Sequence, residues 1–103
     1  MSGIKAENAL LVIPTYNEAQ NIESILNAVW QASPTLHVLV VDDSSKDGTG
    51  ALVKGQQELH PYKLFLKERS GKLGLGTAYI AGFQWGLDRG YQALIEMDAD
   101  FSH

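Results

Sequence analysis

Two uninterrupted apolar runs constrain this chain more than anything else in it. Residues 9–13, Ala9-Leu10-Leu11-Val12-Ile13, and residues 37–41, His37-Val38-Leu39-Val40-Val41, offer solvent almost no polar side. Such runs are strands covered on both faces, as in parallel sheets flanked by helices. Between and after them the period changes to that of a helix. Ile22, Ile25, Leu26 and Val29 recur at helical spacing, with Asn17 and Gln20 placed for an N-cap and capping box. Pro14 closes the first strand, and Ser33-Pro34 stops the first helix. A weaker helix, diluted by Gly50 and Gly55, runs to about Leu59. A third strand is expected at 62–66 and a third helix from Leu75 to Asp88. In that helix Ile80, Phe83 and Leu87 share one face, and Ala78, Gly82 and Gly86 make a smooth ridge for close packing. A buried fourth strand at 92–97 completes a βαβαβαβ order. Alternation of this kind implies a mainly parallel sheet with right-handed crossovers.

In such sheets ligands bind beyond the carboxyl ends of the strands. Three polar clusters fall there: Pro14-Thr15-Tyr16-Asn17-Glu18, Asp42-Asp43-Ser44 and Asp98-Ala99-Asp100. Asp98 and Asp100, two apart at a strand end, point the same way and suit one hard divalent cation, which in turn binds phosphates. Ser102 falls on the same side and could add an oxygen. A solvated acidic loop is the plainer reading of the pair. Of Asp42 and Asp43, one serves the start of the following helix and the other, Asp43 by preference, accepts from a base N–H or a ribose hydroxyl. Tyr16 offers a stacking face and Glu18 an acceptor. Gly71-Lys72-Leu73-Gly74-Leu75-Gly76 lacks the Gly-Lys-Ser/Thr of a P-loop. It reads either as a loop that brings Lys72 to a phosphate or as glycines required by turns. Trp30 and Trp85 are assigned to packing, and His37 and His60 to surface or structural positions without a functional role.

Composition narrows the classes. At 103 residues, 45% hydrophobic and 19% charged, the chain suffices for one small domain with a core. A net charge of −4 argues against nucleic acid as a partner. The absence of cysteine excludes a disulfide scaffold, thiolate zinc and thiol catalysis. The N-terminus lacks a signal-peptide core, and no apolar run approaches the ~20 residues of a membrane span.

Four segments in order carry a resemblance. They are Leu11-Val12-Ile13-Pro14-Thr15-Tyr16-Asn17-Glu18, Val40-Val41-Asp42-Asp43-Ser44-Ser45-Lys46-Asp47-Gly48-Thr49, Gly74-Leu75-Gly76-Thr77-Ala78-Tyr79 and Glu96-Met97-Asp98-Ala99-Asp100-Phe101-Ser102-His103. Together they resemble the polyprenol-phosphate (dolichol-phosphate) mannosyltransferases of the family 2, GT-A-fold glycosyltransferases. The resemblance implies an α/β, Rossmann-like nucleotide-diphospho-sugar transferase fold, of which residues 1–103 are the N-terminal βαβαβαβ half. It implies inverting transfer of mannose from GDP-mannose to a polyprenyl or dolichyl phosphate, with a divalent metal, magnesium or manganese. Pro14, Tyr16, Glu18, Val41 and Asp43 would line the nucleoside pocket. Asp98, Ala99 and Asp100 would contact diphosphate and metal, and Ser102 stands where relatives place a third metal ligand, often a longer amide. A cytoplasmic enzyme, peripheral at the cytoplasmic face of a membrane through a further segment or partner subunit, is implied as well. The chain is expected to stop at its own active site, before the acceptor-binding part, and to be inactive alone. The alternatives are a family 2 transferase using a UDP-sugar, a catalytically silent nucleotide-binding module, and a phosphoacceptor-receiver signalling domain. The last shares the βαβ order but carries its acidic pair after the first strand.

Overall fold

The computed structural model describes residues 5–71 and 74–99. Lys72, Asp100, Ser102 and His103 therefore lie outside the described residues. A short 3-10 turn, Ala6–Asn8, leads into β1 (Ala9–Thr15), α1 (Ile22–Ala32), β2 (His37–Asp42), α2 (Thr49–Leu59), β3 (Leu64–Glu68), α3 (Leu75–Asp88) and β4 (Ala93–Glu96). The four strands form one parallel sheet in the order β3-β2-β1-β4. A receiver places its third strand beside its first; here β3 pairs with β2, and β4 takes the other side of β1.

Strand alternation sends each apolar run to two cores. Leu11 and Ile13 of β1, with Val38 and Val40 of β2, meet Ile22, Ile25, Leu26 and Val29 of α1 and Val53 of α2. Leu10 and Val12, with Leu39 and Val41, face the other way, onto Ala78 and Phe83 of α3. All of these β1 and β2 side chains are buried.

Several boundaries differ from expectation for local reasons. β1 continues through Pro14 to Thr15. Val12 accepts from Met97 N–H while Thr15 accepts from Asp43 N–H, so even-numbered residues of β1 address β4 and odd-numbered ones β2. The β4 ladder ends opposite Val12, so Pro14 gives up an N–H where no bond is required. Asn17 is not an N-cap. It takes a left-handed conformation (φ 57°), and α1 starts at Ile22 with Asn21 before it and no capping side chain. β3 begins two residues later than expected. On α3 the small residues face the sheet: a Cβ at Gly82 would lie 2.4 Å from Val12 Cγ1, and one at Gly86 2.6 Å from Leu94 Cδ2. Ile80 (69% exposed) and Leu87 (59%) point away from it. β4 is half-exposed rather than buried, because it forms the sheet edge among the described residues.

Candidate functional site: a cleft at the carboxyl edge of the sheet

The loops after β1 and β2 are stitched to one another. Three successive N–H groups donate across the gap: Asn17 to Ser45 Oγ (2.7 Å), Glu18 to Thr49 Oγ1 (2.9 Å) and Ala19 to Asp47 Oδ2 (3.0 Å). Lys46 N–H returns a bond to Asn17 Oδ1 at 3.0 Å. These bonds explain why Asn17 leaves the helical region. The Thr49 hydroxyl, which donates to Asp47 Oδ1 at 2.6 Å, and then the Ala19 N–H hold the Asp47 carboxyl below its ordinary value. Asp42 is consumed in the same framework. It is buried and accepts from Thr15 Oγ1 (2.6 Å), Ser45 Oγ (2.6 Å) and Ser45 N–H (2.9 Å).

The result is a cleft of about 200 Å³ lined by Pro14, Thr15, Tyr16, Glu18, Asp43, Gly74, Leu75, Ala78, Asp98 and Ala99. Six of the residues selected from sequence thus share one wall system: Pro14, Tyr16, Glu18, Asp43, Asp98 and Ala99. Val41 does not line it; its side chain is fully buried against α3. Asp100 and Ser102 lie outside the described residues. The cleft opens between the ends of β1 and β4, where successive crossovers turn to opposite sides of β1. That switch point is where open α/β sheets bind ligands.

Two residues escaped the sequence reading. Arg69, just past β3, grips Asp43 with both arms, Nε to Oδ1 at 2.7 Å and Nη2 to Oδ2 at 2.9 Å. The pair is nearly buried. Arg69 also donates to Thr77 Oγ1 and Gly74 O at 3.2 Å, tying β3 to the first turn of α3. Gly74 supports this with φ 102°, a conformation that favours glycine. Tyr79, on α3, donates to Asp98 Oδ1 at 2.7 Å. The only sequence signal for either was a polar residue next to a strand end or a glycine segment, which is too common to select on.

The polar side chains that line the cleft, Thr15, Tyr16, Glu18, Asp43 and Asp98, all carry oxygen, the donor a hard cation requires. Asp98 is the one proposed metal ligand that is described, and among the described residues no group of three His, Cys, Asp or Glu side chains could hold a metal. A larger, more open depression of about 450 Å³ lies at the opposite edge, around His37, His60, Tyr62 and Lys63. Its polar groups already serve the fold: His37 Nδ1 bonds the Tyr91 hydroxyl at 2.6 Å and Lys63 Nζ donates to Pro34 O at 2.6 Å. Trp30 packs on His60 and donates to Leu36 O, and Trp85 packs on Phe65, as expected of packing residues.

The family model for glycosyl transferase family 2 matches residues 10–103. A polyprenol monophosphomannose synthase from Mycolicibacterium smegmatis is 52% identical over 97 residues, covering 94% of this chain and 37% of that protein. An undecaprenyl-phosphate mannosyltransferase from Micrococcus luteus is 50% identical over 94 residues, covering 91% and 38%. The chain thus spans little more than a third of the length of these relatives. Among solved structures, the mannosyltransferase PcManGT from Pyrobaculum calidifontis, in complex with GDP-Man and Mn2+, superposes with a TM-score of 0.76. It is 31% identical and covers 90% of this chain and 27% of that one.

Proposed function

Since the chain belongs to glycosyl transferase family 2, we propose that its cleft is the donor half-site of an inverting mannosyltransferase acting on GDP-mannose and a polyprenyl or dolichyl phosphate. One observation carries this reading. Tyr16, Asp43 and Asp98, from three different strand ends, meet in a single cleft at the switch point of the sheet. A stacking face, a fixed carboxylate acceptor and an acidic group for the diphosphate end match the parts of a sugar nucleotide. The two mannosyl-transferring relatives and the GDP-Man complex support mannose and guanine over other donors.

In this reading Tyr16 stacks on the base. Pro14, Glu18 and Asp43 border the nucleoside, with Val41 shaping the pocket from behind. Asp98, Ala99 and Asp100 meet the diphosphate. Asp98, Asp100 and Ser102 would hold a divalent cation, magnesium or manganese, which when bound offsets the charge that develops on the departing diphosphate. The acceptor is a phosphate monoester, already ionised near neutral pH, so an oxygen of it attacks the anomeric carbon without a dedicated base. The bond from that carbon to GDP breaks on the opposite face, and configuration inverts. What remains for the protein is orientation, which a stitched loop framework supplies. No helix among the described residues is long and apolar enough to cross a membrane. Because the proposed acceptor is a lipid phosphate, the protein in this reading works peripherally at the cytoplasmic face of a membrane, through a partner subunit or a segment outside these 103 residues.

Calorimetric titration of GDP, GDP-mannose and UDP-glucose, with and without manganese, tests the proposal. Manganese-dependent preference for the guanine nucleotides, lost in Asp98→Ala, is expected. Equal or tighter binding of UDP-glucose would reassign the donor.

A further inference from the structure

Asp98 sits where the backbone has stopped holding its own side chains in place. β4 pairs on one side only among the described residues, and its last backbone bond is Met97 N–H to Val12 O at 3.1 Å. A carboxylate one residue further on would be free to turn about two side-chain bonds. The restraint comes from another element. The Tyr79 hydroxyl on α3 donates to Asp98 Oδ1 at 2.7 Å.

The reach of that phenol depends on how closely α3 lies on the sheet. Gly82 and Gly86 set this, since a Cβ at either would collide with Val12, Leu94 or Leu10 within 3 Å. The ring is steadied in turn by Phe83, with centroids 6.1 Å apart and planes at 28°. Tyr79 and Asp98 are both half-buried.

We infer that Tyr79 is a positioning residue for metal binding: by holding one oxygen of Asp98 it presents the other to a divalent cation in the cleft. The inference rests on the reading of Asp98 given above. Tyr79 touches neither substrate nor reacting atoms; it acts through Asp98. Hydrogen-bonded partners of this kind change metal affinity about 10–100-fold when removed.

The experiment is a manganese titration in the presence of GDP, followed by the electron-spin signal of the free ion. It compares the unaltered protein, Tyr79→Phe, Asp98→Ala and the double variant. Tyr79→Phe keeps the ring and its contact with Phe83. It is expected to weaken manganese binding about tenfold or more, while metal-free GDP affinity and the urea midpoint stay nearly unchanged. Adding Tyr79→Phe to Asp98→Ala is expected to cost nothing further, because the residue it acts through is gone. Equal manganese affinity in Tyr79→Phe and the unaltered protein overturns the inference alone, and so does a full additive loss in the double variant. Failure of the unaltered protein to take up manganese at all removes the assignment of Asp98 and the inference with it.

Discussion

The Asp43–Arg69 pair decides more at the residue scale than its two side chains suggest. Both are nearly buried and joined in fork geometry. Removing one partner strands the other's charge away from water, which costs far more than the pair contributes. Arg69→Met is therefore expected to destabilise the fold by roughly 3 kcal/mol, read from urea unfolding, with part of that recovered in Asp43→Asn/Arg69→Met. A loss within experimental error would mean the pair is effectively solvated. The histidines make a second, pH-dependent prediction. Burial is the first cause that lowers both His37 and His60, with Lys63 adding to it and Glu7 opposing it at His37. Between their lowered values and 6.5 the unfolded chain binds protons that the folded chain does not. Stability therefore rises with pH through that window, and it is lost as pH falls from 6.5 toward the folded-state values. Urea midpoints between pH 7 and 5 should fall, and His37→Asn/His60→Asn should flatten the slope. Legibility at this scale was uneven. Asp43 stood out because it ends a strand, and the cleft does place it on a wall. Arg69 did not, since an arginine after a strand has no pattern that distinguishes it from a solvated one. Asn17 looked like a cap because its type suits one. The neighbouring loop outbid the helix for it, offering Ser45 Oγ and Lys46 N–H as partners.

Elements were easier to read than residues where both faces are buried, and harder where one is not. β1 and β2 are continuous apolar runs and fell within two residues of expectation. β3 carries Lys67 and Glu68 at its end, so its pattern blurs, and the strand settled two residues later. On α3 the ridge of Ala78, Gly82 and Gly86 is the buried face, as its spacing suggested, while Ile80 and Leu87 are exposed. Close approach outweighs side-chain size there, because α3 packs on β1 at a distance only glycine permits. Gly82→Ala should consequently destabilise by about 1–3 kcal/mol through overpacking, since its Cβ would meet the branched, inflexible Val12 at 2.4 Å. Gly55→Ala, in α2 with nothing within 4 Å of its Cβ, should instead stabilise by about 0.5–1 kcal/mol from helix propensity alone. Urea melts of the two variants would show opposite signs; matching signs would mean that the ridge is not a packing constraint.

The whole sheet has a property that no single strand announces. Placing β4 beside β1 rather than beside β3 creates the switch point, and among the described residues β4 is an edge of the sheet. Pattern reading could foresee that three polar clusters would share one end of a parallel sheet. It could not give the strand order, because order depends on which crossover packs on which face, and the apolar runs look alike from either side. The order carries a cost for this 103-residue chain. Ile95 is 43% exposed and followed by the exposed Glu96, and among the described residues β4 is bonded to β1 alone. Unpaired N–H and C=O groups along such a strand are a template for a second chain. Association is expected to grow with concentration in light scattering, and Ile95→Lys, which puts a charge on the exposed position of the edge, should restore a monodisperse monomer. Lys at Ile95 leaves the β1 ladder and the cleft in place, so guanine-nucleotide binding should persist in the monomer. If the unaltered chain is already monodisperse at every concentration, the edge is not the exposed template this geometry describes.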